Sequence, residues 1–212
     1  SKQHLVRCLF ENHALDFARV ARRITGQSIG LVLGGGGARG LAHLGVIQAL
    51  NEVGVPIDQV GGTSQGAFVG ALLARNPDDW DLLQQSIHIM AEDMSSISNK
   101  LRELTFPVTS YFSGHHFNKG IQRVLGNARI QDFVLNFFCV SVDICNSVQM
   151  VHREGLAWKY VRASMGIAGY LPPISENGRL LVDGGYMNVL PADVMKEMGV
   201  KKIIAVDVAK ED

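Results

Sequence analysis

The sequence predicts an α/β fold, three layers deep (α/β/α), around a mostly parallel central sheet. Three observations carry that expectation. Short apolar runs of strand length alternate with amphipathic stretches of helix length along most of the 212 residues. Two strand-to-helix junctions are rich in glycine, at 34–37 and 62–66. Hydrophobic residues make up 47% of the chain, enough to cover a sheet on both faces with one sizeable core.

The elements follow in order. Phe17, Val20, Ala21 and Ile24 recur at i, i+3, i+4 and i+7, which puts an apolar face on a helix stopped by Gly26. Arg19, Arg22 and Arg23 lie on its other side and read as a solvated face. A buried strand is expected over 29–33, a helix over 40–52, a short strand over 59–61 and a helix over 65–75. From 76 to about 118 the periodicity fails. Pro77, Pro107 and Gly114 break it and 92–100 is polar, so irregular helices in a mobile cap are expected there. Strands over 137–143 and 148–152, a helix over 156–163, a strand over 180–182, a helix over 192–198 and a strand over 202–208 complete the pattern. The division that follows is a helical lead-in, 1–27, and one α/β domain, 28–212, with the cap-like insert, about 76–118, inside it.

Composition removes several function classes. Lysine plus arginine equals aspartate plus glutamate at 20 each, so no overall field draws the chain to nucleic acid or another polyanion. Cys8, Cys139 and Cys145 are odd in number and lack metal-ligand spacing, which fits reduced thiols in a reducing compartment. No apolar run reaches the roughly 18 to 20 residues that span a bilayer, and the first residues do not read as a signal peptide. The segment is therefore expected to be soluble by itself. Its abrupt start at Ser1-Lys2-Gln3 suits a piece of a larger protein, whose anchor these residues would not reveal.

The first chemical feature is Gly34-Gly35-Gly36-Gly37-Ala38-Arg39-Gly40, between a strand and a helix. Consecutive glycines need a steric reason, and close approach of backbone to a ligand is one. Amides at such a turn, with the positive end of the helix dipole, suit either a phosphate or the oxyanion of a tetrahedral intermediate. Gly35, Gly37 and Gly40 also match G-x-G-x-x-G, and Asp58 follows near where a dinucleotide fold needs its ribose-binding acid. A nucleotide- or dinucleotide-binding domain is thus a rival reading, and a non-catalytic lipid-binding domain another.

The second feature is Gly62-Thr63-Ser64-Gln65-Gly66, a G-x-S-x-G between an apolar strand and a small-residue helix. That is the setting of a nucleophile elbow, with the Ser64 hydroxyl presented at a helix N-terminus. The histidines offer it no obvious base. His4 and His13 precede the core, His43 reads as a structural histidine in the helix after the glycine loop, and His88, His115 and His116 fall in the insert. A triad of Ser64, Asp143 and His152 is formally possible, but His152, beside Arg153, reads as a surface residue. Asp183 closes the apolar run Leu180-Leu181-Val182 ahead of two glycines, at a strand's carboxyl end, where an acid can reach Ser64 directly.

Together, the G-G-G-x-R-G loop at 35–40, the G-T-S-x-G elbow at 62–66 and the D-G-G at 183–185 resemble the patatin-like phospholipase domain over about residues 16–207. Asp16-Phe17-Ala18-Arg19, Tyr160-Val161-Arg162-Ala163-Ser164-Met165, Gly169-Tyr170-Leu171-Pro172-Pro173 and Asp183-Gly184-Gly185-Tyr186 are similar, more narrowly, to the neuropathy target esterase branch, lysophospholipases of membranes. The resemblance implies a patatin-like fold and a catalytic dyad of Ser64 and Asp183. It also implies an oxyanion hole of the Gly35, Gly36 and Gly37 amides, with Arg39 and Gly40 supporting the loop and Gly62 and Gly66 flanking the nucleophile. The implied chemistry is two-step acyl transfer on a lysophospholipid or phospholipid, with no metal or organic cofactor. The implied setting is a membrane surface on its cytoplasmic side, the endoplasmic reticulum for a eukaryotic full-length parent. Two positions depart from the pattern: Gln65, where an apolar residue is usual, and Val189, where asparagine is common.

Overall fold

In the computed structural model, which describes residues 13–95, 104–105 and 110–209, the chain builds one seven-stranded sheet. Strands β1 (Ile29–Leu33), β2 (Gln59–Thr63), β3 (Asn136–Asp143) and β7 (Lys202–Val206) run parallel, in the spatial order β3, β2, β1, β7. Strands β4 (Val148–His152) and β6 (Arg179–Asp183) are antiparallel to β3, and β5 (Ile174–Glu176) is antiparallel to β6. The sheet is mixed because two of its links are too short for a crossover. β5 and β6 are joined by Asn177-Gly178, both at positive φ (49° and 76°), the backbone that closes a tight hairpin.

Alternation along the strands explains the layers. Leu31, Leu33, Phe137 and Cys139 join one buried cluster, whereas Val32, Phe138 and Val140 join another on the opposite face. The first face is covered by α2 (Ala42–Glu52), α3 (Gln65–Arg75), α4 (Trp80–Ser95), α5 (His115–Leu125) and α6 (Ala157–Ser164). The second is covered by α7 (Ala192–Glu197) through Val194 and Met195. α3 is buried from Gly66 through Ala74, so it is apolar all round rather than amphipathic. No helix among the described residues is long and apolar enough to cross a membrane.

Two expectations change. The lead-in helix α1 (His13–Ile24) docks by its charged side, not its apolar one. Arg22 clamps the buried Asp58 with Nε at 3.0 Å and Nη2 at 2.7 Å, and Arg19 bridges Asp16 and Asp78, while Phe17 and Ile24 are 61% and 77% exposed. Periodicity reports that a helix has two faces, and here a bidentate ion pair with a buried carboxylate decides which one faces the core. The segment expected to be irregular holds the regular α4, whose Leu83, Ile87 and Met90 are buried at i, i+4 and i+7. Polar Gln84, Gln85 and Ser86 mask that spacing in the sequence. Much of the polar run over 92–100, and Cys8 and His4, lie outside the described residues.

Candidate active site

The pairing of β3 explains how two distant residues meet. Residues 141–143 pair with β4 and with β6 at once, and 139–140 pair with β4 and with β2. A strand has two edges, so β2 and β6 share the one opposite β4. There Thr63 pairs with Val140, and the next position, Ser141, pairs with Asp183. β2 runs with β3 and β6 against it, so their carboxyl ends point at each other. A wholly parallel sheet would have placed Asp183 in a strand pointing the other way; the antiparallel β6 delivers it to the end of β2.

Ser64 follows β2 and sits at φ 54°, ψ −124°, a backbone that costs about 1–3 kcal/mol in a residue other than glycine. Packing enforces it. A Cβ on Gly66 would collide with the Leu33 carbonyl, and one on Gly62 would lie 2.5 Å from the Gly66 carbonyl carbon, so the turn closes only with glycine on both sides. The Ser64 amide donates to the Oγ of Ser164 at 2.9 Å, and the Ser64 hydroxyl donates to Asp183 Oδ2 at 2.8 Å.

Asp183 is 6% exposed. Its Oδ1 accepts the Gly185 amide at 2.8 Å, leaving Oδ2 to the serine. Burial pushes its carboxyl above the ordinary value, against the lowering by the Gly185 and Ser64 hydrogen bonds. Desolvation is therefore what brings this acid toward a useful basicity. The histidine triad is not assembled. Asp143 instead accepts from the Cys145 amide and the Asn146 side chain in the turn after β3. His152 is not a surface residue either. It is 7% exposed, 2.6 Å from the Ser141 hydroxyl and stacked on Tyr160 at 4.2 Å, and its burial depresses its pKa to about 4.

The glycine loop leaves β1 beside the elbow. The Gly34 amide donates to the Val206 carbonyl and the Gly35 amide to the Val189 carbonyl, at 3.0 and 2.9 Å. The Gly35 amide is thus already hydrogen-bonded, whereas Gly36 and Gly37 donate to no backbone carbonyl among the described residues. Because Val189 contributes its carbonyl here, the departure from asparagine does not touch this bond. Gly37 lies at φ 55°, which favours glycine. Arg39 is exposed and its side chain makes no hydrogen bond or ion pair among the described residues. Contacts to the loop come from buried His43, whose Nε2 lies 2.8 Å from the Gly34 carbonyl, and from Gly40, whose missing Cβ makes room for the stem of Gln65.

Asp58 is not a ribose ligand. It precedes β2, at the other end of the strand from the elbow, and is consumed by Arg22 and the Ile29 amide. A cavity of about 340 Å³ does open at Ser64, between Gln65, Phe68, Ile87, Met90, Phe117 and Met165. It is nearly all apolar, it lies at the small end of the range for ligand pockets, about 300–1,000 Å³, and α4 supplies one wall. Among the described residues no cluster of histidine, cysteine, aspartate or glutamate has the geometry to hold a metal ion.

The chain is similar to known proteins in sequence and in fold. A model of the patatin-like phospholipase family matches residues 31–196. The chain is 52% identical over 202 residues to a protein of Saccharomyces cerevisiae named lysophospholipase NTE1, covering 94% of this chain and 12% of that protein. The protein of the same name from Candida glabrata is 54% identical, with the same coverage. This chain therefore spans about an eighth of the length of these curated relatives. Among solved structures, VipD from Legionella pneumophila has the same fold at a TM-score of 0.53 and 14% identity, over 76% of this chain and 46% of VipD.

Proposed function

Because this chain belongs to the patatin-like phospholipase family, we propose that it hydrolyses the acyl ester of a membrane lipid, a lysophospholipid before others, with Ser64 as nucleophile and Asp183 as its base. The observation that carries the reading is the 2.8 Å hydrogen bond from a strained elbow serine to a buried carboxylate, at the mouth of an apolar cavity. Asp183 takes the Ser64 proton as Oγ attacks the carbonyl carbon. The amides of Gly36 and Gly37 meet the charge that develops on the carbonyl oxygen. The glycerol oxygen of the deacylated lipid leaves with the proton from Asp183. Water then attacks the acyl-serine, losing a proton to Asp183, which passes it to Ser64 Oγ as the fatty acid departs.

Cavity size favours one acyl chain over two. Each methylene buried there contributes about 0.8 kcal/mol. Exposed apolar residues at the opening, Leu41, Ile167 and Tyr170, with Tyr186 and Met187 after Asp183, suit a site that works against a lipid surface. The free thiols of Cys139 and Cys145 favour the cytoplasmic side of that membrane. The catalytic unit is assigned to 28–212, with 1–27 as a lead-in latched by Arg22 to Asp58.

A fluorophosphonate probe tests the reading, because only an activated serine is labelled. Labelling at Ser64, with fatty acid released faster from lysophospholipids than from diacyl phospholipids or triacylglycerol, is the expected result. A folded protein that binds lysophospholipid but stays unlabelled would be a lipid-binding domain instead.

A further inference from the structure

We propose that Ser164 is a positioning residue for the acyl-transfer site, holding the Ser64 amide through its side-chain oxygen while the same three-residue segment holds Asp183. Ser164 ends α6 and is completely buried. Its Oγ accepts the Ser64 N–H at 2.9 Å, and two residues on, the Gly166 carbonyl accepts the Asp183 N–H at 2.9 Å. One short stretch of chain thus grips the backbone of both residues whose side chains meet. Those two come from different strands, β2 and β6, that pair with β3 but not with each other, and Ser64 itself lies one residue beyond its ladder, so the strand pairing alone does not hold the elbow.

The grip is itself anchored. Arg162, fully buried, donates from Nε to Asn118 Oδ1 at 2.6 Å and from Nη2 to the Pro172 carbonyl at 3.0 Å, tying the end of α6 to α5 and to the chain beyond it. The elbow needs such a hold. At φ 54° the Ser64 amide is turned away from any helical partner, and a buried N–H without an acceptor would favour relaxation of the strained turn. Relaxation would carry Oγ away from Oδ2. The residue between the two contacts, Met165, lines the acyl cavity, so the segment is wall and clamp together.

This inference rests on the reading of Ser64 and Asp183 as the dyad, and its test keeps the two apart. Ser164→Ala removes the acceptor, and Ser164→Thr keeps it. With a soluble ester, Ser164→Ala should lower kcat at least tenfold and leave KM within threefold. Fluorophosphonate labelling should slow by the same factor as kcat. The acid limb of the rate profile should move to higher pH, because a loosened Ser64 no longer stabilises the Asp183 carboxylate. Ser164→Thr should recover most of kcat. Where alanine does not fold, by near-ultraviolet circular dichroism, Ser164→Cys replaces it, with a weaker acceptor and an intermediate kcat expected. Alanine within threefold of wild type in kcat, or alanine and threonine equally impaired, would overturn the positioning role. Failure of the wild-type protein to label would instead overturn the dyad.

Discussion

Thr63 and Asp183 occupy consecutive positions along one edge of β3, Thr63 opposite Val140 and Asp183 opposite Ser141. The nucleophile, one residue past Thr63, consequently meets an acid 119 positions away in the chain. No long loop has to reach across the site, because both residues stand at strand ends registered on β3.

Ser64→Gly and Ser64→Ala should both abolish esterase activity, and they should differ in stability. Both remove the hydroxyl, but only glycine relieves the backbone at φ 54°. The glycine variant should be more stable than the alanine variant by about 1 kcal/mol, a few degrees in melting temperature for a domain of this size. Equal melting temperatures would show that the turn is not strained in solution.

Asp183→Asn should lower turnover by several orders of magnitude, whereas His152→Ala should leave it within threefold of wild type. The histidine variant should instead lose stability, by about 1–3 kcal/mol, since it removes a buried ring and orphans the Ser141 hydroxyl. Steady-state kinetics beside thermal melts separate the two effects. The opposite pattern would restore a histidine mechanism.

The two groups give opposite pH signatures. Asp183 must be ionised to act, and its carboxyl is raised by burial. Activity should therefore fall off at a pH above the ordinary aspartate value, being lost as pH drops through the folded value. For stability the sign reverses: Asp183 favours the fold most at low pH, and that contribution is lost as pH rises through its raised value. His152 is depressed from about 6.5 to about 4, so the unfolded chain takes a proton before the folded one does. Its contribution is complete above pH 6.5 and lost between there and pH 4, worth about 3 kcal/mol at most. Denaturant titrations across that window should show the loss in wild type and a flatter profile in His152→Ala.

Gly36→Ala tests the loop. The added methyl would lie 2.6 Å from Val208 Cγ2, so the loop must shift. Loss of one aligned donor costs about 2.7–4 kcal/mol in the transition state, so kcat should fall about 10²- to 10³-fold. Substrate affinity should fall much less, because the ground-state carbonyl draws little on these amides. Calorimetry with NAD or ATP on the wild-type protein should detect no binding, as Asp58 is consumed by Arg22. Tight nucleotide binding, with ester turnover insensitive to the substitution, would reassign the loop.

Most of the secondary structure was legible in the sequence, since strand and helix periods are local properties. β1, α3 and β4 fall within the residues expected for them, and the two glycine junctions announce themselves through the backbone geometry they permit. Ser64 and Asp183 could be singled out because an elbow serine between small residues and an acid closing an apolar strand are both unusual. No histidine follows Asp183 in the sequence, so the order serine, acid, histidine was open only to Asp143 and His152, and it took the structure to show that these two are engaged elsewhere.

Tertiary structure decided what depends on partners far away in the chain. The antiparallel register of β6 brings Asp183 to Ser64, although local pattern gives no strand direction. The Val189 carbonyl takes the Gly35 amide, and Arg22 finds Asp58 and turns α1 over. Ser164, in a stretch that carries the family resemblance but no chemical pattern of its own, becomes the acceptor for the elbow. In each case a buried polar group must find a partner, and which partner it finds is fixed only when the chain closes on itself.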